Sequence, residues 1–190
     1  MKRILPLILA AGCVLGMTSI AHAQAVPVES GAMDYAGTGC SSGTATISNT
    51  ASDANAAIGL LFDNFTVRNE RKNCAITIPL KVAAGYQVAI PELMLKGHVA
   101  ANTQARLSVD AFFAGQSTTA VTRNIQGNGN FAEAFNTSPN ASNWSTCGDS
   151  VNLRLNVALI AQGAGEANLN TLEFDNQSPL SLVSYRACQR

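Results

Sequence analysis

The 190-residue chain is 47% apolar and only 13% charged, enough for one domain with a sizeable core. Its 12 basic and 12 acidic side chains balance, and the basic ones are scattered except for Arg68 with Arg71 and Lys72. A nucleic-acid or anionic-membrane partner needs a basic surface that this chain does not supply.

The first element in chain order is a processing signal. Lys2 and Arg3 give a short positive region, Ile4 to Met17 is apolar apart from Pro6, and Ala21-His22-Ala23 is a small-x-small cleavage site. About fourteen apolar residues fall short of the roughly twenty a spanning helix needs, so residues 1–23 are expected to leave on export, with no transmembrane segment remaining. Ala10-Ala11-Gly12-Cys13 offers a rival lipoprotein reading, weakened because Ala stands where Leu is usual three residues before the cysteine.

Residues 24–36 have no period, carry Pro27 and Gly31, and read as a flexible leader. Gly37-Thr38-Gly39-Cys40-Ser41-Ser42-Gly43 lacks the Lys-Ser/Thr of a phosphate loop and reads as a turn that delivers Cys40 to a partner. Thr44 to Ser48 is a short strand. Ala57 to Val67 is a longer one, in which Leu60 and Phe62 share one parity and Phe65 and Val67 the other, so a bulge is expected at Asp63-Asn64.

The strongest pattern runs from Cys74 to Ile90. Cys74, Ile76, Ile78, Leu80 and Val82 alternate with Ala75, Thr77, Pro79 and Lys81, and the parity resumes at Tyr86, Val88 and Ile90. Alternation of this kind lays one row on a core and the other on solvent, and the length of the run predicts a break at Ala83-Ala84-Gly85. Leu93 to Ala100, Gln104 to Phe113 and, as an edge strand, Ala120 to Gln126 follow. Gly127 to Asn143 reads as a loop anchored by Phe131 and Phe135 and closed by Trp144-Ser145-Thr146-Cys147-Gly148. Val151 to Ala161, Ala167 to Phe174 and Leu180 to Ala187 are further strands. The Ala-rich pieces 51–57 and 161–167 have room for one helical turn each.

This inventory predicts an all-β fold over residues 37–190, an antiparallel two-sheet sandwich of jelly-roll or immunoglobulin-like kind. Without Cys13, four cysteines remain: Cys40, Cys74, Cys147 and Cys188. An even number suits an oxidising compartment, and their spacing is not that of a zinc site. Of three possible pairings we expect Cys40 with Cys74 and Cys147 with Cys188, each closing one half of the chain and adding about 3 to 4 kcal/mol in the chain-entropy model.

The motifs Gly37-Thr38-Gly39-Cys40, Leu61-Phe62-Asp63-Asn64-Phe65, Arg71-Lys72-Asn73-Cys74, Gly85-Tyr86-Gln87-Val88, Lys96-Gly97-His98, Phe112-Phe113-Ala114-Gly115, Trp144-Ser145-Thr146-Cys147-Gly148 and Tyr185-Arg186-Ala187-Cys188 occur in an order that resembles the secreted family known as domain of unknown function 4360. Ser41, Lys96 and Thr146 depart from that family's pattern and leave all four cysteines in place. The resemblance implies a small exported, disulfide-containing β domain and implies no activity.

Catalytic chemistry finds little support. His98 is the one histidine beyond the signal, too few for a histidine-based zinc site, and no Gly-x-Ser-x-Gly turn joins it to Asp110 in a triad. Glu92, Asp110, Glu133, Asp149, Glu166, Glu173 and Asp175 leave a carboxylate pair for glycoside hydrolysis open, though no spacing selects two of them. We therefore expect no catalytic, cofactor-binding or metal residues and no cofactor. The leading expectation is a secreted or cell-surface binding module for a glycan, wall polymer or protein, with Trp144, Phe131, Phe135 and Tyr86 as ligand contacts. An envelope or coat subunit that self-associates through a sheet edge ranks second, and a carboxylate-dependent hydrolase third.

Overall fold

The alternating run that begins at Cys74 becomes the backbone of the larger of two facing sheets. The structure is a computed structural model and describes residues 28–52, 55–90, 92–116, 118–135, 144–175 and 184–189; the expected signal segment lies outside the described residues. Among them are thirteen strands and no helix: β1 (Val28–Ser30), β2 (Asp34–Ala36), β3 (Ala45–Ser52), β4 (Asn55–Val67), β5 (Arg71–Val82), β6 (Tyr86–Ala89), β7 (Glu92–Val99), β8 (Thr103–Phe113), β9 (Val121–Gln126), β10 (Gly129–Phe135), β11 (Val151–Gly163), β12 (Ala167–Asp175) and β13 (Ser184–Ala187).

One sheet has the order β1-β5-β11-β8-β9, with β2 also on β5; the other has the order β10-β7-β12-β4-β3. A separate ribbon is formed by β6 and β13, and every pairing is antiparallel. The inward rows of the two sheets meet in one core. Cys74, Ile76, Ile78, Leu80 and Val82 of β5 and Leu153, Leu155, Val157, Leu159 and Ala161 of β11 are buried together with Leu93, Leu95 and Val99 of β7 and Leu169, Leu172 and Phe174 of β12. Each Val, Leu, Ile or Phe side chain among them is stabilised by about 1.5 to 3 kcal/mol on leaving water, which is why the period-two pattern fixes the register of these strands.

The expected parity change in β4 is a bulge: the pairing with β12 passes from Phe65↔Leu169 to Leu61↔Thr171. The shift lets Leu60, Phe62, Phe65 and Val67 all point inward. Phe62 and Phe65 then meet edge to face at 5.4 Å. The break after Val82 is a tight turn in which Tyr86 N–H donates to the Ala83 carbonyl (3.1 Å) and Gly85 takes a φ of 83°.

The disulfides are Cys40–Cys74 and Cys147–Cys188. Close approach of backbone explains the glycines before Cys40. A Cβ on Gly37 would lie 2.1 Å from the Asn73 carbonyl oxygen, and one on Gly39 would lie 2.3 Å from the Phe65 ring. Gly39 N–H donates to that same Asn73 carbonyl at 2.9 Å, so the glycine-rich stretch lies flat on the start of β5 and beneath a ring of the opposite sheet.

Three expectations are corrected. Residues 28–36 of the presumed leader are ordered: β1 and β2 pair with β5 at Val28↔Val82 and Tyr35↔Ile76, and the Tyr35 hydroxyl donates to the Ala45 carbonyl at 2.8 Å. These strands are three residues each, too short for a period to show. The stretch 127–143 is not all loop, because Gly129–Phe135 forms β10 on β7 with Phe131, Glu133 and Phe135 on its inward parity. The Ala-rich pieces, finally, hold no helical turn where described: Ala51 and Ala56 pair in the β3–β4 hairpin, and Ala161 and Ala167 belong to β11 and β12.

Candidate functional site

The aromatic side chains expected to touch a ligand part company in the fold. Phe135 is fully buried. It lies where β9 and β10, edge strands of opposite sheets, are bridged by Arg123, whose guanidinium sits 5.4 Å over the Phe135 ring and whose Nε is 4.0 Å from Glu133 Oε2. A ring placed there closes the open side of the sandwich. Phe131 is half-buried and stands opposite Gly97 in register, where a Cβ would fall 2.7 Å from its ring. It covers the glycine backbone on β7, a cross-strand use of an aromatic that seals the edge of the core.

Tyr86 and Trp144 both stand at the ribbon, one on β6 and the other bridged to it. Trp144 bridges to Ala89 of β6, and its carbonyl accepts a hydrogen bond from Gln116 Nε2 at 2.9 Å. The next residue locks the segment in place: Ser145 N–H donates to the Val88 carbonyl (2.8 Å), and Val88 N–H donates to Ser145 Oγ (3.1 Å). On the far side of β6, Tyr185 pairs with Val88 and Arg186 with Gln87. Cys188 N–H donates to the Gly85 carbonyl at 2.8 Å, and the Cys147–Cys188 bond joins the two flanks around β6.

Alternation divides the ribbon into two faces. On one, the rings of Tyr86 and Tyr185 lie 6.2 Å apart at 70°, and they are 37% and 40% exposed. On the other, the Arg186 guanidinium stacks 3.8 Å over the half-buried Trp144 ring. Large exposed apolar side chains are few among the described residues: Leu61 stands elsewhere, and the other two are this tyrosine pair.

Tyr185 and Arg186 were not singled out from sequence as ligand contacts. A signal was present, since Trp144 precedes Cys147 by three residues and Tyr185 precedes Cys188 by the same interval. In the fold the two aromatics flank β6, Trp144 beside Ala89 and Tyr185 beside Val88.

The groups considered for catalysis are dispersed. His98 stands abreast of Asn130 and Asn168 on the outer face of one sheet, while Asp110 stands beside Asn156 on the outer face of the other. Glu133, Glu166 and Glu173 face Arg123, Arg68 and Lys96 at 4.0, 3.4 and 2.7 Å. Among the described residues no three His, Cys, Asp or Glu side chains gather as a metal site would require, and no helix is long and apolar enough to cross a membrane.

The model of a family described as Domain of unknown function (DUF4360) matches residues 27–188. The chain belongs to that family. The match to DUF4360 begins one residue before β1, so the short strands on β5 fall within the family's domain, and it ends at Cys188, the residue that pins β13. No curated protein matches the chain. Among solved structures, TmCBM61 in complex with beta-1,4-galactotriose is similar at 9% identity and a TM-score of 0.34, over 76% of this DUF4360 chain and 88% of that one.

Proposed function

We propose that the protein is an exported, non-catalytic domain that binds a neutral glycan on the Tyr86–Tyr185 face of its ribbon. The observation that carries this reading is the pair of exposed, mutually packed tyrosine rings on a disulfide-pinned two-stranded element. A phenol ring offers an apolar face to the C–H surface of a pyranose and a hydroxyl to its rim, and two rings in edge contact make a platform wider than either. Pinning by Cys147–Cys188 fixes the platform before the ligand arrives, which lowers the ordering cost of binding. Export accords with two disulfides and with the signal-like residues 1–23. A non-catalytic role accords with Glu133, Glu166 and Glu173 being held to cations and with His98 and Asp110 standing on the outer faces of different sheets.

Affinity electrophoresis through gels cast with soluble galactan, xylan, glucan or mannan tests the proposal. At least one polymer is expected to retard the protein, and Tyr86→Ala with Tyr185→Ala is expected to weaken the retardation about tenfold or more without changing the circular dichroism. Retardation by none of them, or retardation indifferent to both substitutions, would refute it.

A further inference from the structure

The outer face of the β5–β11–β8–β9 sheet carries a second constellation, at the end of β5 remote from the ribbon. Register places Arg71 of β5, Ile160 of β11, Arg106 of β8 and Asn124 of β9 abreast. In the next row Gln162, Gln104 and Gln126 stand side by side on β11, β8 and β9. Rows two residues apart are separated by about 7 Å, and the two arginine backbones, on either side of β11, by about 10 Å. A shallow groove of about 350 Å³ runs over Arg106, Asn124, Ile160 and the three glutamines.

Asp110 shares this face but stands two rows along β8 from Arg106. Neither Arg71 nor Arg106 has a side-chain hydrogen bond or ion pair among the described residues. The neighbouring acids are committed elsewhere, Glu70 to Lys72 at 3.7 Å and Glu166 to Arg68 at 3.4 Å. Ile160 stands in register between Arg106, which lines the groove, and Arg71, which flanks it on β5, and the remaining lining is mostly amides that can both donate and accept.

We propose that this groove binds a carboxylated polysaccharide, with Arg71 and Arg106 each holding a uronate carboxylate and the glutamine row reading sugar hydroxyls. Guanidinium groups meet carboxylates in a forked pair, and a spacing of two strands spans a disaccharide. Amides abreast match the alternating donors and acceptors of a hydroxyl-rich chain. The site is separate from the ribbon and does not depend on the tyrosines.

The test is affinity electrophoresis of the signal-free protein in gels containing polygalacturonate, alginate or hyaluronate, beside gels of fully methyl-esterified polygalacturonate. The expected result is retardation by at least one carboxylated polymer, little by the ester, and weakening with added salt. Arg71→Gln and Arg106→Gln are each expected to weaken it about tenfold, whereas Tyr86→Ala with Tyr185→Ala leaves it unchanged. Retardation by no carboxylated polymer, equal retardation by the ester, or retardation that survives the double arginine substitution would overturn the proposal. Loss through the tyrosine variant alone would transfer the binding to the ribbon and equally overturn this site.

Discussion

Replacing Cys147 and Cys188 together by serine is expected to weaken glycan retention sharply while leaving the sandwich folded. The strand that carries Tyr185 and Arg186 is four residues long and pairs, among the described residues, with β6. Holding four residues in one conformation costs about 1 to 2 kcal/mol each in backbone entropy alone. The handful of hydrogen bonds it forms return about 1 kcal/mol apiece net, and the tyrosine contact adds about 0.5 to 1.5 kcal/mol. Those sums leave the strand near the balance point, so the disulfide decides whether it stays docked. The core is not involved: Cys147 is exposed and Cys188 half-buried, outside the buried cluster of the two sheets. The double variant should therefore keep its far-ultraviolet circular dichroism, lose protection of the 184–188 amides in hydrogen exchange, and bind the retaining polysaccharide at least about tenfold more weakly. Unchanged retention would mean that the ribbon is not the binding surface.

The other bridge should behave in the opposite way. Cys40 is fully buried and Cys74 is 1% exposed, both within the core cluster, and the bond closes a separation of 34 residues. Alanine at both positions frees the unfolded chain, worth about 4 kcal/mol in the chain-entropy model, and also removes two buried sulfur atoms from the core. The C-terminal bridge spans a similar 41 residues, but there the folded state gains freedom too when the ribbon opens, which offsets part of the effect. Here no part of the fold can relax. Against a typical stability of about 5 to 15 kcal/mol, the loss should lower the urea midpoint by roughly 1 to 3 M, measured by circular dichroism. A shift smaller than that of the Cys147/Cys188 variant would contradict the placement of Cys40 in the core.

Much of the sandwich is legible in sequence because burial on one face imposes a period of two. The runs in β5, β8 and β11 are long enough to show it, and the parity change at Asp63-Asn64 already marks the bulge in β4. β1, β2 and β10 escaped for different reasons. Three-residue strands have no period to read, and Gly129-Asn130 opens β10 with turn residues while Glu133 occupies an inward position because Arg123 is there to meet it. The site was half legible. Tyr86 and Trp144 stood out as aromatics beside glycine and cysteine, but burial of Phe135 depends on an edge strand of the other sheet, and exposure of Tyr185 depends on which strand the chain end docks against. The paired arginines and the glutamine row belong to the same class of hidden feature, since their members lie on three or four strands far apart in sequence and meet through register alone.

Hydrogen–deuterium exchange of the protein with and without the best-retained neutral polysaccharide locates the binding surface without presupposing it. Protection gathered in residues 84–89 and 184–188 is the expected footprint; protection confined to β8, β9 and β11, or none at a saturating concentration, would contradict a ribbon built to hold a glycan.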